Sequence, residues 1–352
     1  LRILFLCGRE PSYTRNASLL KALAANYEVT DISSSHKSYV RRHLIVLWRL
    51  VRSRPGRFDL IFVGFSGYLL IIAVRLLTNK PVILDAYISV YQTFCIDRKK
   101  FRPKSIMGRI SLLLDQISCR LATVVLLDTN THIRYFIETF KLPESKFKRV
   151  FVGADETVFY PRPGIANRVP LIFTYAQYQP LHGVEHIVRA AKLLNGSARF
   201  IIGGTGHERH KIDALLRDEE ITNVELIDWI PYAKLPEYIA AADICVGGHL
   251  GNTDKAKMVI AGKSFQFIAM NRPTILGRNP ANYELIGAAK GIYCEMGSAE
   301  SLAATIEDIL KDAQQRDKLT QSSFDSYLEK ASGEAITTRV HEIIGSLAVD
   351  SI

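Results

Sequence analysis

No two cysteines stand in a Cys-x-x-Cys spacing: Cys7, Cys95, Cys119, Cys245 and Cys294 are scattered along 352 residues. That scatter gives no structural zinc site and fits a reducing compartment better than a disulfide framework. The sequence has no Asp-x-Asp pair and no histidine cluster, so no metal site is expected. It also lacks short-period repeats and low-complexity tracts, which argues against a solenoid or a disordered interaction chain. Long apolar runs are missing too. The longest, LIFVGFSGYLLIIAV at 60–74, carries Gly64, Ser66 and Gly67 and stops at Arg75. A bilayer span needs about 20 apolar residues, so this run reads as a strand, a turn and a helix start. No basic leader precedes an apolar segment at Leu1, so a signal peptide is not expected.

Acidic residues are scarce in the first part of the chain. Residues 1–163 hold 26 Lys and Arg against 12 Asp and Glu, whereas the remainder holds 19 against 23. The net charge of +10 therefore sits wholly in one half. Such asymmetry points to a polyanion facing that half: phospholipid, a phosphorylated acceptor or nucleic acid. No aromatic-basic reader motif accompanies the charge, so nucleic acid is not the expected partner.

What is present is alternation. Short apolar runs (LRILFLC, EVTDIS, FDLIFVGF, PVILDAY, TVVLLD) alternate with helical patterns at 17–25, 37–54, 68–77, 105–121 and 132–140, and VFVGAD closes the series. YPRPGIANRVP at 160–170 holds three prolines and a glycine and reads as a linker. The alternation restarts with LIFTYAQ, ARFIIGG, VELIDW, ICVGG and PTILG, each followed by a helical segment, and a helical tail follows Ser298. Two βα arrays predict two parallel, doubly wound sheets in an α/β protein, their carboxyl edges facing a central cleft. The expected division is 1–160, 161–330, and a terminal helix 331–352 returning to the first domain.

Five pieces in order resemble the retaining GT-B glycosyltransferases of the family 4 type. VFVGADETVFYPRP is similar to the family's domain-joining segment, and YAQYQPLHGVEHIVRAAKLL to the first strand–loop–helix of its donor domain. FIIGGTGHERHKI resembles its glycine-rich turn, NVELIDWIPYAKLPEYIAAADICVGG the β–loop–α–β that follows, and GNTDKAKMVIAGKSFQFIAMNRPTILG its donor-site loop and helix. The resemblance implies two Rossmann-like domains and a nucleotide-sugar donor serving as co-substrate, with no further cofactor. It also implies a hydroxyl acceptor, such as a glycolipid, lipid-linked or polysaccharide precursor, and no protein nucleophile, the donor phosphate helping to take the proton. A sugar-nucleotide epimerase of the same architecture and a non-catalytic nucleotide-sugar binder with a decayed site remain alternatives.

Candidate residues follow from chemistry and resemblance together. Gln177–Gly183 joins a strand to a helix whose N-terminus, at Gly183, suits a diphosphate. The family's Arg and Lys in this loop fall on Gln177 and His182, which shifts neutralisation towards backbone, a partly protonated His182 and other lysines. Lys263 opens a helix, where an ammonium is unfavourable unless an anion shares the spot. The family's paired glutamates fall on Met258 and Gln266, so Gln266 is left for the ribose, and Thr253, Asp254 or Lys255 for the donor sugar. Gly204, in GGTGHE, and Trp229, in DWIPY, are placed near the base, although Trp229 reads equally as a wall residue. In the first half, Asp85 and Asp128 end strands and are candidates to orient or deprotonate the acceptor, or else to cap the next helices. Gly8, Arg9 and Arg15 are placed around the acceptor. In the segment 37–54, Val40, Leu44, Leu47, Trp48 and Val51 share one helical stripe and Arg42, Arg49 and Arg52 lie off it. Such a helix either lies on an anionic bilayer, with these residues facing it, or packs on its own sheet. The first option implies a cytoplasmic protein, peripheral on the inner face of the cell membrane.

Overall fold

A computed structural model describes residues 1–349. The chain divides into two compact units: Leu1–Val152 with the last helix, and Gly153–Ser332.

The first unit alternates β1 (Arg2–Cys7), α1 (Thr14–Ala24), β2 (Glu28–Asp31), α2 (Tyr39–Ser53), β3 (Leu60–Gly64) and α3 (Tyr68–Leu77). It continues with β4 (Val82–Asp85), α4 (Ile106–Leu121), β5 (Val124–Leu127), α5 (Asn130–Phe140) and β6 (Phe147–Arg149). The six strands form one parallel sheet ordered β2-β1-β3-β4-β5-β6. Its central strands are buried on both faces, which is why LIFVG and VILD read as unbroken apolar runs. Alternate residues serve alternate layers. Leu4, Leu6, Ile61 and Val63 pack with Val46 and Leu50 of α2, with Leu70, Ile71 and Val74 of α3 and with Phe136 of α5. Ile3, Phe5, Leu60 and Phe62 pack with Leu19 and Leu23 of α1 and with Val340 and Ile344 of the terminal helix. Helices α2 to α5 thus cover one face, and α1 and the terminal helix the other.

Two sequence expectations change here. The last strand is FKR at Phe147–Arg149, and VFVGAD lies beyond it without strand pairing. Its apolar Val150, Phe151 and Val152 are nonetheless buried, so the run marks burial rather than a strand. Helix α2 turns its other side to the sheet: Arg42, His43, Val46, Leu50 and Ser53 are buried, while Val40, Leu44, Trp48 and Val51 are exposed.

The second unit holds β7 (Leu171–Tyr175), α6 (Val184–Leu193), β8 (Arg199–Gly203), α7 (Arg209–Asp218), β9 (Val224–Ile227), α8 (Leu235–Ala241) and β10 (Ile244–Val246). After these come α9 (Asp254–Met258), α10 (Gly262–Ala269), β11 (Thr274–Gly277), α11 (Pro280–Leu285), β12 (Ile292–Cys294), α12 (Ala299–Lys311) and α13 (Ala313–Lys330). Its sheet is parallel and ordered β12-β11-β10-β7-β8-β9. One face buries Ile187 and Val188 of α6 with Leu302 and Ile306 of α12. On the other, Phe173 stacks on Tyr238 of α8 and meets Phe267 of α10 edge-on. The last helix, α14 (Gly333–Val349), packs on α1, and Tyr27 hydrogen-bonds His341 Nδ1 at 2.7 Å.

Candidate functional site

The chain leaves β7 outwards through β8 and β9, then returns to the opposite side of β7 as β10. The loops after β7 and β10 therefore diverge at a topological switch point, where open α/β sheets bind ligands. They touch: the Gly251 N–H donates to the Leu181 carbonyl at 3.1 Å. Glycine is required on both sides of the contact. A Cβ on Gly251 would lie 1.9 Å from the Pro180 oxygen, and one on Gly183 would lie 2.6 Å from the Gly251 nitrogen. Gly183, at φ +64°, turns the chain into the N-terminus of α6.

Three nitrogen bases gather at this contact. His182 ends the β7 loop, and its ring centroid lies 5.0 Å from that of His249 in the β10 loop. Both Nδ1 atoms are buried without a partner. Lys263, from the first turn of α10, is only 6% exposed, and its ammonium donates to Thr174 Oγ1 at 2.8 Å. That hydroxyl in turn donates a hydrogen bond to the Val246 carbonyl at 2.7 Å, which leaves its lone pairs for the lysine. Burial lowers Lys263 to about 7. His182 is lowered to about 3 by burial and then by Lys263 and Lys255, and His249 is lowered by burial and by His182, Lys263 and Lys255. An anion bound among these three groups would restore the charge that burial removes from them. His249 was not among the residues singled out from sequence. Its signal is position: it follows Gly247 and Gly248 just past the end of β10, on the same strand edge as His182.

The other donor-side candidates lie at the carboxyl ends of β7 to β10 and on α9 and α10. Gln266, 6% exposed, accepts a hydrogen bond from the Tyr175 hydroxyl through its Oε1. Thr253 is committed to capping α9, accepting from Ala256 N at 3.2 Å, and Lys255 lies two residues on. Gly204, at φ +107°, brings the glycine-rich turn against the β7 loop: its Cβ would meet the Ala176 oxygen at 2.0 Å, and Tyr178 N donates to the Thr205 carbonyl. Gln177 is exposed on that loop, its Oε1 accepting from Gln179. Trp229 is 77% exposed, so it is not a core residue. Beside it Asp228 pairs with Arg209, whose guanidinium lies 5.9 Å from the Tyr178 ring centre.

In the first unit the corresponding switch point lies between β1 and β3. Gly8 sits there, donating to the Phe65 carbonyl at 3.2 Å; its Cβ would lie 2.0 Å from the Ser66 oxygen. Arg9 is exposed beside it and pairs with Glu10 at 3.3 Å. Arg15 is elsewhere. It is fully buried, donates to both oxygens of Asp85 and sends its remaining nitrogen to the Val150 and Phe151 carbonyls at 2.6 and 2.8 Å. The pair thus ties α1, β4 and the segment after β6 together. Asp85, with both oxygens engaged by a guanidinium and no exposure, is a structural anchor and not a free base. Asp128, 2% exposed, holds His132 Nδ1 at 2.9 Å, and the other ring nitrogen is buried without a partner. Arg42, expected to face a bilayer, is buried: it pairs with Glu10 at 3.0 Å and donates to the His36 and Gly8 carbonyls. Arg49 is bonded to the Ser33 carbonyl, and Arg52 lies over the Trp48 ring at 5.0 Å. Among the described residues no three His, Cys, Asp or Glu side chains converge as metal ligands, and no helix is long and apolar enough to cross a membrane.

Residues 155–325 match the family model for glycosyl transferases group 1. No curated protein matches the chain. Solved structures share its fold across its length. The sucrose-phosphate synthase of Thermosynechococcus elongatus superposes with a TM-score of 0.76 at 15% identity, covering 99% of each chain. HepE of Anabaena, solved with UDP, gives 0.74 at 14% identity over 98% of this chain and 100% of its own. A glycosyltransferase of Rickettsia africae gives 0.65 at 13% over 97% of both.

Proposed function

We propose that the chain, whose residues 155–325 match the glycosyl transferases group 1 model and whose fold is GT-B, is a glycosyltransferase that moves a hexosyl group from a nucleotide sugar to an acceptor hydroxyl with retention at the anomeric carbon. The observation that carries the donor assignment is the grouping of His182, which directly precedes the N-cap of α6, with His249 and Lys263. A diphosphate placed there meets backbone N–H groups and up to three cations, the neutralisation that a leaving nucleoside diphosphate requires. Gln266 is within the same shell for ribose hydroxyls, and Trp229 stands exposed for the base. HepE, which shares the fold, holds UDP, so a uridine diphosphate sugar is the first donor to try.

In the reaction, the bond from the anomeric carbon to the phosphate oxygen breaks and the acceptor oxygen attacks on the same face. The acceptor proton passes to the departing phosphate. Lys263 and the histidines stabilise the charge that grows on that phosphate, so they act in the transition state more than in the ground state. This assignment needs no divalent cation, because cationic side chains occupy its role. The acceptor side belongs to the first unit, around Gly8 and Arg9. The acceptor is lipid-linked or membrane-proximal, in keeping with the basic charge of residues 1–163.

Transfer from a panel of nucleotide sugars, followed by NMR of the product's anomeric proton, tests the proposal. A product with the donor's configuration, formed at an unchanged rate in EDTA, is expected. An inverted product, or activity lost in EDTA and restored by manganese, contradicts the mechanism. Hydrolysis or epimerisation without transfer contradicts the function.

A further inference from the structure

Helices α2, α3 and α4 lie on the same face of the first sheet, α3 packing against both of its neighbours. Each buries one side, and each leaves an apolar row on the other. On α2, Val40, Leu44, Trp48 and Val51 are 66, 61, 60 and 62% exposed. On α3, Leu69 and Leu76 are 53 and 82% exposed. On α4, Ile106, Ile110 and Leu113 are 75, 51 and 52% exposed. Scattered single exposed apolar residues are ordinary, but rows recurring on three neighbouring helices are a patch that expects a partner.

Charge identifies the partner. Helices α2 and α3 contain no acidic residue, and the only one in α4, Asp115, is fully buried and accepts from Ser89 and from two backbone N–H groups. Exposed cations flank the rows: Lys37, Arg41 and Arg52 around α2, and Arg102, Lys104 and Arg109 at the start of α4. A second copy of this face would bring like charges together, which disfavours a symmetric dimer. An apolar surface whose three helices expose cations and no carboxylate, with a tryptophan whose ring is capped by the Arg52 guanidinium, suits the headgroup boundary of an anionic bilayer.

We propose that the outer face of α2, α3 and α4 is a membrane-insertion surface: its apolar rows enter an anionic leaflet below the headgroups while the flanking lysines and arginines hold the lipid phosphates. This rests on the reading of a membrane-proximal acceptor and names the surface that reaches it. It differs from binding by charge alone, because part of the attachment must survive salt. Arg42 and the rest of the buried side of α2 take no part.

The test uses the full chain and vesicles of phosphatidylglycerol mixed with phosphatidylcholine, with pure phosphatidylcholine as control. In a Trp229→Phe chain, emission from Trp48 is expected to shift to the blue and to be quenched by brominated acyl chains in the anionic vesicles. In co-sedimentation, Leu44→Ser with Ile110→Ser lowers partitioning at least about tenfold, since each exposed side chain loses its transfer to hydrocarbon. Arg41→Gln, Arg52→Gln and Lys104→Gln each cost about fivefold at low salt. All of these positions are exposed, so the variants fold. Trp48 emission unchanged by anionic vesicles at low salt overturns the proposal. So does partitioning that the serine variants leave intact, or a soluble dimer that these variants dissolve. UDP binding, measured on the co-sedimentation variants, which keep Trp229, separates failure of this surface from failure of the donor assignment.

Discussion

Lys263 is held in a place that suits it only when an anion is bound. Burial lowers it to about 7 from 10.5. Between those values the unfolded chain binds the proton and the folded chain does not, so stability rises with pH across this window. Lys263→Met removes the penalty, and thermal melts of the ligand-free variant at pH 6 are expected above those of the wild type. The cost is function, because a bound diphosphate favours the protonated lysine. Nucleotide affinity is therefore highest below pH 7 and falls as pH rises through it, by up to about tenfold per unit. An affinity that does not change between pH 6 and 9 would show that Lys263 is not a phosphate ligand. Asp85 is governed by a different balance. Breaking a buried ion pair by removing one partner costs roughly 3–5 kcal/mol, so Arg15→Met should lower the urea midpoint sharply. Replacing both, with Asp85→Leu, should recover much of the loss. Any turnover defect in Asp85→Asn should then track the folded fraction.

At the scale of elements, the strand–helix order was legible because buried parallel strands read as apolar runs and each is followed by a helical period. Direction was not. Periodicity in α2 identified Val40, Leu44, Trp48 and Val51 as one face, but it could not say whether that face meets the sheet or the solvent. The buried side contains Arg42, whose partners Glu10, Gly8 and His36 come together only in three dimensions. His249 escaped for a similar reason: its relation to His182 depends on β10 returning beside β7. The Gly-rich turn, Lys263 and the α6 loop were legible because helix N-termini and glycines carry their chemistry locally. The loop contact makes its own prediction. Gly251→Ala places a Cβ 1.9 Å from the Pro180 oxygen, forcing the two loops apart. Nucleotide affinity should fall at least about tenfold, while the cost in stability stays near the roughly 1–3 kcal/mol of an overpacked site.

At the scale of the molecule, the terminal helix belongs to the unit in which the chain begins. Its Ile336, Val340, Ile343 and Ile344 are 2, 2, 3 and 2% exposed and complete the layer that α1 begins. Ending the chain at Ser332 would uncover that layer. Burial of each such side chain contributes about 1.5–3 kcal/mol, and a domain's whole stability is only about 5–15 kcal/mol. The truncated first unit is therefore expected to be unfolded or aggregated by circular dichroism and sedimentation.

The donor assignment is the centre of the account, and one titration tests it most directly. UDP, and then its glucose ester, is titrated calorimetrically into the wild type and Lys263→Ala at pH 8, above the value of about 7 to which burial lowers the lysine, in buffers of different ionisation heat. A charge-assisted hydrogen bond is worth roughly 1.5–3 kcal/mol. Proton uptake is expected on binding to the wild type, with an affinity about ten- to a hundredfold weaker in the variant. Equal affinities in the two proteins, or binding without proton uptake, would contradict the donor assignment.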